Sequence, residues 1–474
     1  MKHFYFLFIL FIYSNGISAQ IFTQETIKTS GDNDKRINLV ILGDGYQATE
    51  LGKFKTDAQS FITKLFGESP FTEYSNYFNV HIINVISEES GADHPVDSNE
   101  ENGSSAIFPQ KEVNTFFNAT FDAYKIHRLL FFEIDGNYAN DTTSKINSVL
   151  ADNFPTYDQA IILVNTPYYG GAGGEFPMAS THVDGAAIAI HELGHSFANL
   201  KDEYYAGDVY AGEAINMTSE SDPSVVKWKN WVGSNGIDVY LNGTTIDNVK
   251  WYKPANGTCK MEALGADFCS VCKEGIIEKI HGILPAIESY TPNTTTVNNP
   301  TFPVNFDLNL IAPTHELERT WTLNGLAFAS GVDGVALENS DLNSETNTLT
   351  AVVEDNPAAL LRINNHETVH ISTVTWTIEN SALGIETIES VSDNFEILMF
   401  PNPVSNTINL KFESSSVENL SVEIITMDGR KLLSTSLSNY EIKSIDTSTF
   451  SSGIYLTNFY ANQALIASKK LVKK

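Results

Sequence analysis

The residues best suited to chemistry stand in one pentapeptide, His191-Glu192-Leu193-Gly194-His195. Two histidines four apart share one face of an α-helix, so both imidazoles can reach a single zinc ion. Glu192 projects beside them, where a carboxylate can take a proton from water acidified by the metal. The chemistry implied is metal-assisted hydrolysis, with His191 and His195 as ligands of one Zn2+ and Glu192 as general base. The run Ala186 to Asn199 contains no proline and opens Ala-Ala-Ile-Ala-Ile, the pattern of a buried helix. An ordinary helix with a histidine pair is the competing account, but two unpaired buried imidazoles would be costly.

A third protein ligand has to follow the helix. In metzincins the active-site helix breaks at a glycine three residues after the second histidine, and a ligand comes three residues later. Here those places hold Ala198 and Lys201, and an ammonium group cannot ligate zinc. One residue further on, the same logic returns. Asn199 tolerates the left-handed conformation that ends helices, and Asp202 lies three residues beyond it. Glu203 is adjacent, and Glu220 stands where a more distant carboxylate ligand would. The order of preference is Asp202, Glu203, Glu220, each also readable as a solvated acid.

Cys259, Cys269 and Cys272 lie within fourteen residues and are all the cysteine in the chain. In an exported protein the default is one disulfide and one free thiol, with Cys259 paired to Cys269 or Cys272. A bridge inside Cys269-x-x-Cys272 would be tight and redox-active. The second reading is a three-cysteine zinc site with His281 as fourth ligand. Other candidates read first as structure: Asp93-His94 as a turn in an acidic loop, His182 as an exposed or capped histidine. Tyr204, Tyr205 and Tyr252 read as packing residues before oxyanion-stabilising phenols. Asp135 to Asp141 is rich in oxygen ligands but lacks the spacing of a calcium loop, so calcium has no support. Tyr168 to Gly174 is glycine-rich and matches no phosphate-binding pattern.

Elements around these groups must position them. Ile37 to Leu42 reads as a buried strand closed by Gly43-Asp44-Gly45, and Thr49 to Phe66 as a helix. Phe78 to Val85, Arg128 to Ile134 and Gln159 to Val164 read as further strands. Strands separated by helical stretches predict an α/β arrangement, a twisted sheet with helices, over residues 20–287. Short alternating runs split by Pro, Asn, Asp and Gly predict an all-β sandwich over 288–380. A Ser- and Glu-rich linker, 381–395, leads to a small all-β domain at 396–474. Residues 1–19 carry Lys2 and His3 before an apolar run from Phe4 to Tyr13 and read as a signal peptide cut after Ala19. No later segment offers the roughly 20 apolar residues of a membrane span.

Charge narrows the partners. The 474 residues include 58 Asp and Glu against 29 Lys and Arg, a net of −29. Such a chain repels phosphate backbones and anionic lipid, which argues against nucleic acid and a membrane surface as partners. From Glu396 onward there are eight basic residues against seven acidic, so the acidity belongs to the preceding blocks.

Taken together, these residues resemble the immunoglobulin-A-peptidase-like family of zinc metallopeptidases. The resemblance is carried by His191-Glu192-Leu193-Gly194-His195-Ser196-Phe197, Leu200 and Asp202-Glu203-Tyr204. It is carried also by Leu42-Gly43-Asp44-Gly45-Tyr46, Glu89-Ser90-Gly91-Ala92-Asp93-His94-Pro95, Cys259-Lys260-Met261 and Phe268-Cys269-Ser270-Val271-Cys272. It spans about Lys35 to Pro285. It implies a metzincin-like fold, one catalytic Zn2+ and endopeptidase action on protein or peptide substrates. His191, His195 and Asp202 become the ligands, Glu192 the general base, and Met261 the Met-turn beneath the zinc. The family usually has a glycine near the helix break, whereas this chain has Ala198-Asn199.

The last block resembles a type IX secretion sorting domain. Its carriers are Phe400-Pro401-Asn402-Pro403-Val404, Asp428-Gly429-Arg430, Ser452-Gly453-Ile454-Tyr455 and Lys473-Lys474. That implies a Bacteroidetes-type Gram-negative source, passage through the periplasm, the type IX machinery as partner, and a secreted or surface location. Two other classes of function compete: a surface adhesin or glycan-binding protein with a relic zinc site, and a zinc amidase acting on cell-wall peptides.

Overall fold

The computed structural model describes residues 21–95, 98–99, 107–126, 128–132, 139–207, 209–243, 250–343, 346–362, 369–379, 396–413, 420–438, 440–462 and 464–474. The expected signal peptide (1–19) and linker (381–395) lie outside them. The chain divides into two compact units, residues 1–381 and 382–474.

The first unit is built on a six-stranded sheet. In chain order its elements are β1 (Gln24–Lys28), β2 (Ile37–Asp44), α1 (Leu51–Leu65), β3 (Phe78–Ile83), α2 (Ala139–Asn153), β4 (Gln159–Val164), β5 (Gly171–Ala172), β6 (Met178–Ser180) and α3 (Gly185–Ala198). The sheet order is β1-β3-β2-β4-β6-β5, with a parallel centre and an antiparallel strand at each edge. All eight residues of β2 are buried. Its alternate side chains divide between two cores, as a period of two requires. Ile37, Leu39 and Ile41 pack with Phe54 and Phe61 of α1 and Ile188 of α3, whereas Val40 and Leu42 pack with Ile146 and Leu150 of α2. A strand covered on both faces explains the unbroken apolar run. Each such side chain, fully buried, stabilises by about 1.5–3 kcal/mol.

The strand expected over Arg128 to Ile134 is not formed in its described part. Arg128 adopts φ 67°, left-handed backbone that cannot continue a strand. What remains are isolated bridges, Leu129 to Gly171 and Phe131 to Thr120. Beyond α3 the chain passes through the pair β7 (Tyr240–Asn242) and β8 (Trp251–Lys253) to α4 (Ser270–Ile283), which packs against α3.

Residues 287–379 form two facing sheets of three and five strands around the stacked rings of Trp321 and Trp376, 5.9 Å apart. This sandwich shares the first compact unit with the α/β block. Asp355, fully buried, accepts hydrogen bonds from Tyr74 Oη (2.6 Å), His281 Nε2 of α4 (2.7 Å) and His315 Nε2 (2.6 Å). Arg36 pairs with Glu288 across the same junction. The second unit has sheets of three and four strands enclosing Val404, Ile408, Phe412, Val422, Ile424 and Leu471. No described helix is long and apolar enough to cross a membrane.

Candidate metal centre

α3 runs through the HExxH residues and stops at Asn199, which takes left-handed angles (φ 54°, ψ 31°). Its N–H donates to His195 O, and Leu200 N–H donates to Gly194 O, closing the last turn. The reversal folds the following residues back over the histidines. Leu200 O then accepts from His195 Nδ1 at 2.6 Å, and Lys260 O accepts from His191 Nδ1 at 2.9 Å. With each Nδ1 bound to a carbonyl, each Nε2 is left with its lone pair.

Those two lone pairs meet the Asp202 carboxylate. His191 Nε2 lies 3.1 Å and His195 Nε2 3.2 Å from Asp202 Oδ1, and the two Nε2 atoms are 3.3 Å apart. A tetrahedral zinc with bonds of about 2.0–2.1 Å separates its ligand atoms by about 3.3 Å. The donor set fits such an ion without rearrangement. Burial would raise the Asp202 carboxyl, but its contacts with His191 and His195 hold it well below the usual carboxylate range.

The donor atoms of His191, Glu192 and His195 all lie within 4.8 Å of one another. Burial raises Glu192 above its ordinary value, against the pull of both histidines. The glycine-rich loop after β4 passes directly over this carboxylate: a Cβ at Gly173 would stand 2.7 Å from Glu192 Oε2. That is the use of the Tyr168–Gly174 stretch, and only its composition was visible in the sequence. Tyr204 lies across the centre, its ring near-parallel to His191 at 6.5 Å. Burial and its hydrogen bond with Asp202 push its phenol up. His191, Glu192 and Tyr204 line a cleft of about 490 Å³ together with Arg128 and Tyr169. The Arg128 guanidinium sits over the Tyr169 ring, 5.3 Å from its centre.

Met261 is fully buried against α3, and a Cβ at Gly194 would meet its sulfur at 2.9 Å. The other candidates lie elsewhere. Glu203 turns away from the histidines, and Glu220 accepts from Asp222 N–H in its own loop. His94 is buried beside Asp122, and Asp93 accepts from Val113 N–H; both brace a loop. His182 faces Asp184 and the Tyr169 ring. Tyr205 is half exposed away from the histidines, and Tyr252 pairs with Thr218 through its backbone.

The expected disulfide is absent: all three cysteines are free and buried. Cys259 and Cys272 sulfurs are 3.6 Å apart, against about 2.05 Å for a bond. The neighbour of the three thiols is Glu203 and not His281. His281 lies nine residues past Cys272 on α4, two and a half turns, hence on the opposite face and about 13.5 Å along the axis. It bonds Asp355 instead. Burial pushes the Cys259 thiol up to about 12 and raises Cys272; for Cys269, hydrogen bonds from these two outweigh burial and bring it down to about 6.

A parallel-centred α/β block thus carries the HExxH helix beside an open cleft. Residues 26–239 match the IgA Peptidase M64 family, and residues 398–474 match the secretion system C-terminal sorting domain. The first match ends before Met261 and the cysteines. No curated protein matches the chain. Among solved structures it is similar to dimeric latent PorU from Porphyromonas gingivalis (14% identity, TM-score 0.16, 38% of this chain and 19% of that chain). It is also similar to the CbhA fibronectin(III)-like modules of Clostridium thermocellum (9%, 0.16, 39% and 93%). A third is Bacteroides uniformis beta-glucuronidase 3 (9%, 0.18, 49% and 30%). The chain thus spans about a fifth of the length of the PorU chain. Likenesses this slight define neither fold nor function. The sorting domain marks the protein for secretion or the cell surface.

Proposed function

We propose that this protein is a secreted zinc metalloendopeptidase of metzincin-like fold, delivered by the type IX machinery with 1–19 as signal peptide and 396–474 as sorting domain. The observation that carries the reading is the convergence of His191 Nε2, His195 Nε2 and Asp202 Oδ1 at 3.1–3.3 Å, with the Glu192 carboxylate beside them. A zinc ion held by these three residues supplies the Lewis acidity that polarises a peptide carbonyl and lowers the pKa of water towards about 7. Lys260 O and Leu200 O fix both imidazoles in the ligating tautomer. Glu192 takes the proton of the attacking water and returns it to the departing amine. Its burial raises its proton affinity, which suits a group that must hold that proton through the reaction. The Tyr204 phenol, protonated at neutral pH and hydrogen-bonded to Asp202 here, turns from that carboxylate to donate to the oxyanion that develops on the carbonyl. Gly194 admits Met261 against the helix that carries both histidines.

The intact Glu192 supports an enzyme over an adhesin with a relic site. The test is Glu192→Ala: zinc content should stay at the wild-type level while peptide cleavage falls by roughly 10³-fold or more. Cleavage at the wild-type rate would refute the assignment. Sequencing the new N-termini formed in mixed host and bacterial proteins identifies the substrate, and cleavage confined to muropeptides would make the enzyme an amidase.

A further inference from the structure

A second buried group of donors takes no part in this chemistry. Glu203, Cys259, Cys269 and Cys272 place one donor atom each within 4.8 Å of all the others, and none of the four is more than 8% exposed. Cys272 Sγ lies 3.6 Å from Cys259 Sγ and 3.1 Å from Glu203 Oε1, and Cys269 Sγ lies 3.9 Å from that oxygen. A tetrahedral zinc, with bonds of about 2.3 Å to sulfur and 2.0 Å to oxygen, has edges of about 3.8 and 3.5 Å. The observed spacings straddle those edges. Glu203 Oε2 is buried with no hydrogen-bond partner among the described residues, a costly state for a carboxylate in a dry interior. We propose that these four residues bind a second metal ion, zinc, in a closed structural site.

Three soft thiolates select zinc over calcium or magnesium, and four protein ligands leave no open position for water, so the site is not catalytic. Each thiol gives its proton to solvent as the ion binds. Three thiolates and a carboxylate around a divalent ion carry a net −2, which needs compensation. Cys269 is the N-cap of α4 and Cys272 lies in its first turn, where the helix dipole favours negative charge. Cys269 N–H donates to Cys259 Sγ at 3.4 Å, and the Lys253 ammonium, itself paired with Glu262, lies 2.6 Å from the Glu203 main-chain carbonyl. A disulfide in the same place would leave the third thiol unused and Glu203 Oε2 still without a partner, with only Oε1 accepting from Asn216 Nδ2 at 3.1 Å.

Two of the three segments that the site joins also reach the histidine centre. Glu203 follows Asp202, and Cys259 precedes Lys260, whose carbonyl holds His191. Glu203 N–H donates to Met261 O at 2.8 Å, tying the two segments directly. The cysteine site stands on its own residues and does not require the catalytic reading. The test is metal analysis of the full chain with X-ray absorption at the zinc edge. Wild type should hold two zinc ions with a sulfur shell at about 2.3 Å. The His191→Ala/His195→Ala variant should keep one ion, bound by sulfur and released stoichiometrically by a mercurial thiol reagent. Should that variant fail to fold, the wild-type spectrum decides alone: one ion with nitrogen and oxygen neighbours only overturns this site and leaves the catalytic one. One sulfur-bound ion in the wild type does the reverse. A Cys–Cys disulfide found by peptide mass analysis also overturns it.

Discussion

Replacing Gly173 by alanine tests how far the catalytic reading depends on one carboxylate. The added Cβ would stand 2.7 Å from Glu192 Oε2, whereas ordinary contact begins near 3.4 Å. The carboxylate must therefore retreat by about 0.7 Å. Gly173 is outside the left-handed region, so alanine adds no backbone strain there. The Glu192 carboxylate is the free end of a side chain and can swing, so stability should change by less than about 0.5 kcal/mol. Catalysis is less forgiving, because a misplacement of about 1 Å costs about 10²-fold. The expected loss in kcat/KM is about tenfold to a hundredfold, or about 1.4–2.7 kcal/mol of transition-state stabilisation. Zinc content and Tm should match the wild type within error. The assay is steady-state cleavage of a fluorogenic peptide, with metal analysis on the same preparation. Activity within twofold of the wild type would show that Glu192 is not the group whose position limits the reaction.

Asp202→Ala should lower zinc affinity of the histidine centre by at least 10²-fold, measured by competition with a chromogenic chelator, while unchanged occupancy would move the third ligand elsewhere. Gly194→Ala places a methyl against Met261 Sδ at 2.9 Å with Phe268 and Leu200 close behind, and should cost about 1–3 kcal/mol in urea unfolding. Asp355→Ala leaves His281 and Tyr74 buried without their acceptor, and should cost about 3–5 kcal/mol by the same measurement. Hydrogen bonds from His281 and His315 outweigh burial and hold the Asp355 carboxyl below its ordinary range. Its contribution is therefore complete above an unfolded value of about 3.9 and is lost as pH falls towards the folded value, so the wild-type-to-variant gap in unfolding free energy should narrow below about pH 4. A gap independent of pH would remove Asp355 from the junction's energetics.

What the sequence disclosed follows the range of its interactions. Helix α3 was legible to within one residue at each end, because its apolar run and the asparagine after it act locally. Strands β2, β3 and β4 were legible because burial on both faces leaves near-continuous apolar runs. The strand expected from Arg128 does not form in its described part, since a left-handed residue there interrupts a run of suitable composition. The cysteine cluster was seen, but it was read first as a disulfide and second as a zinc site with His281, and the group beside the thiols is Glu203. Glu203 lies 56 residues before Cys259 and meets it only through the packing of α3 on α4, whereas His281 was near in sequence and excluded by helical phase. Gly173 had no local signal at all: its need for a bare Cα arises from a side chain on another element.

The carboxylate at Asp355 has a consequence for where the chain can be cut. α4 is a strut, fixed at its His281 end by the sandwich and carrying Cys269 and Cys272 at the other, against the Met261 turn. Residues 382–474 form a separate compact unit. Proteolysis at residue 287 would strip its footing, leaving a histidine and a tyrosine facing solvent where a carboxylate had stood. The sandwich is therefore the foundation of the α/β block, and any shortened form should keep the chain through Glu379.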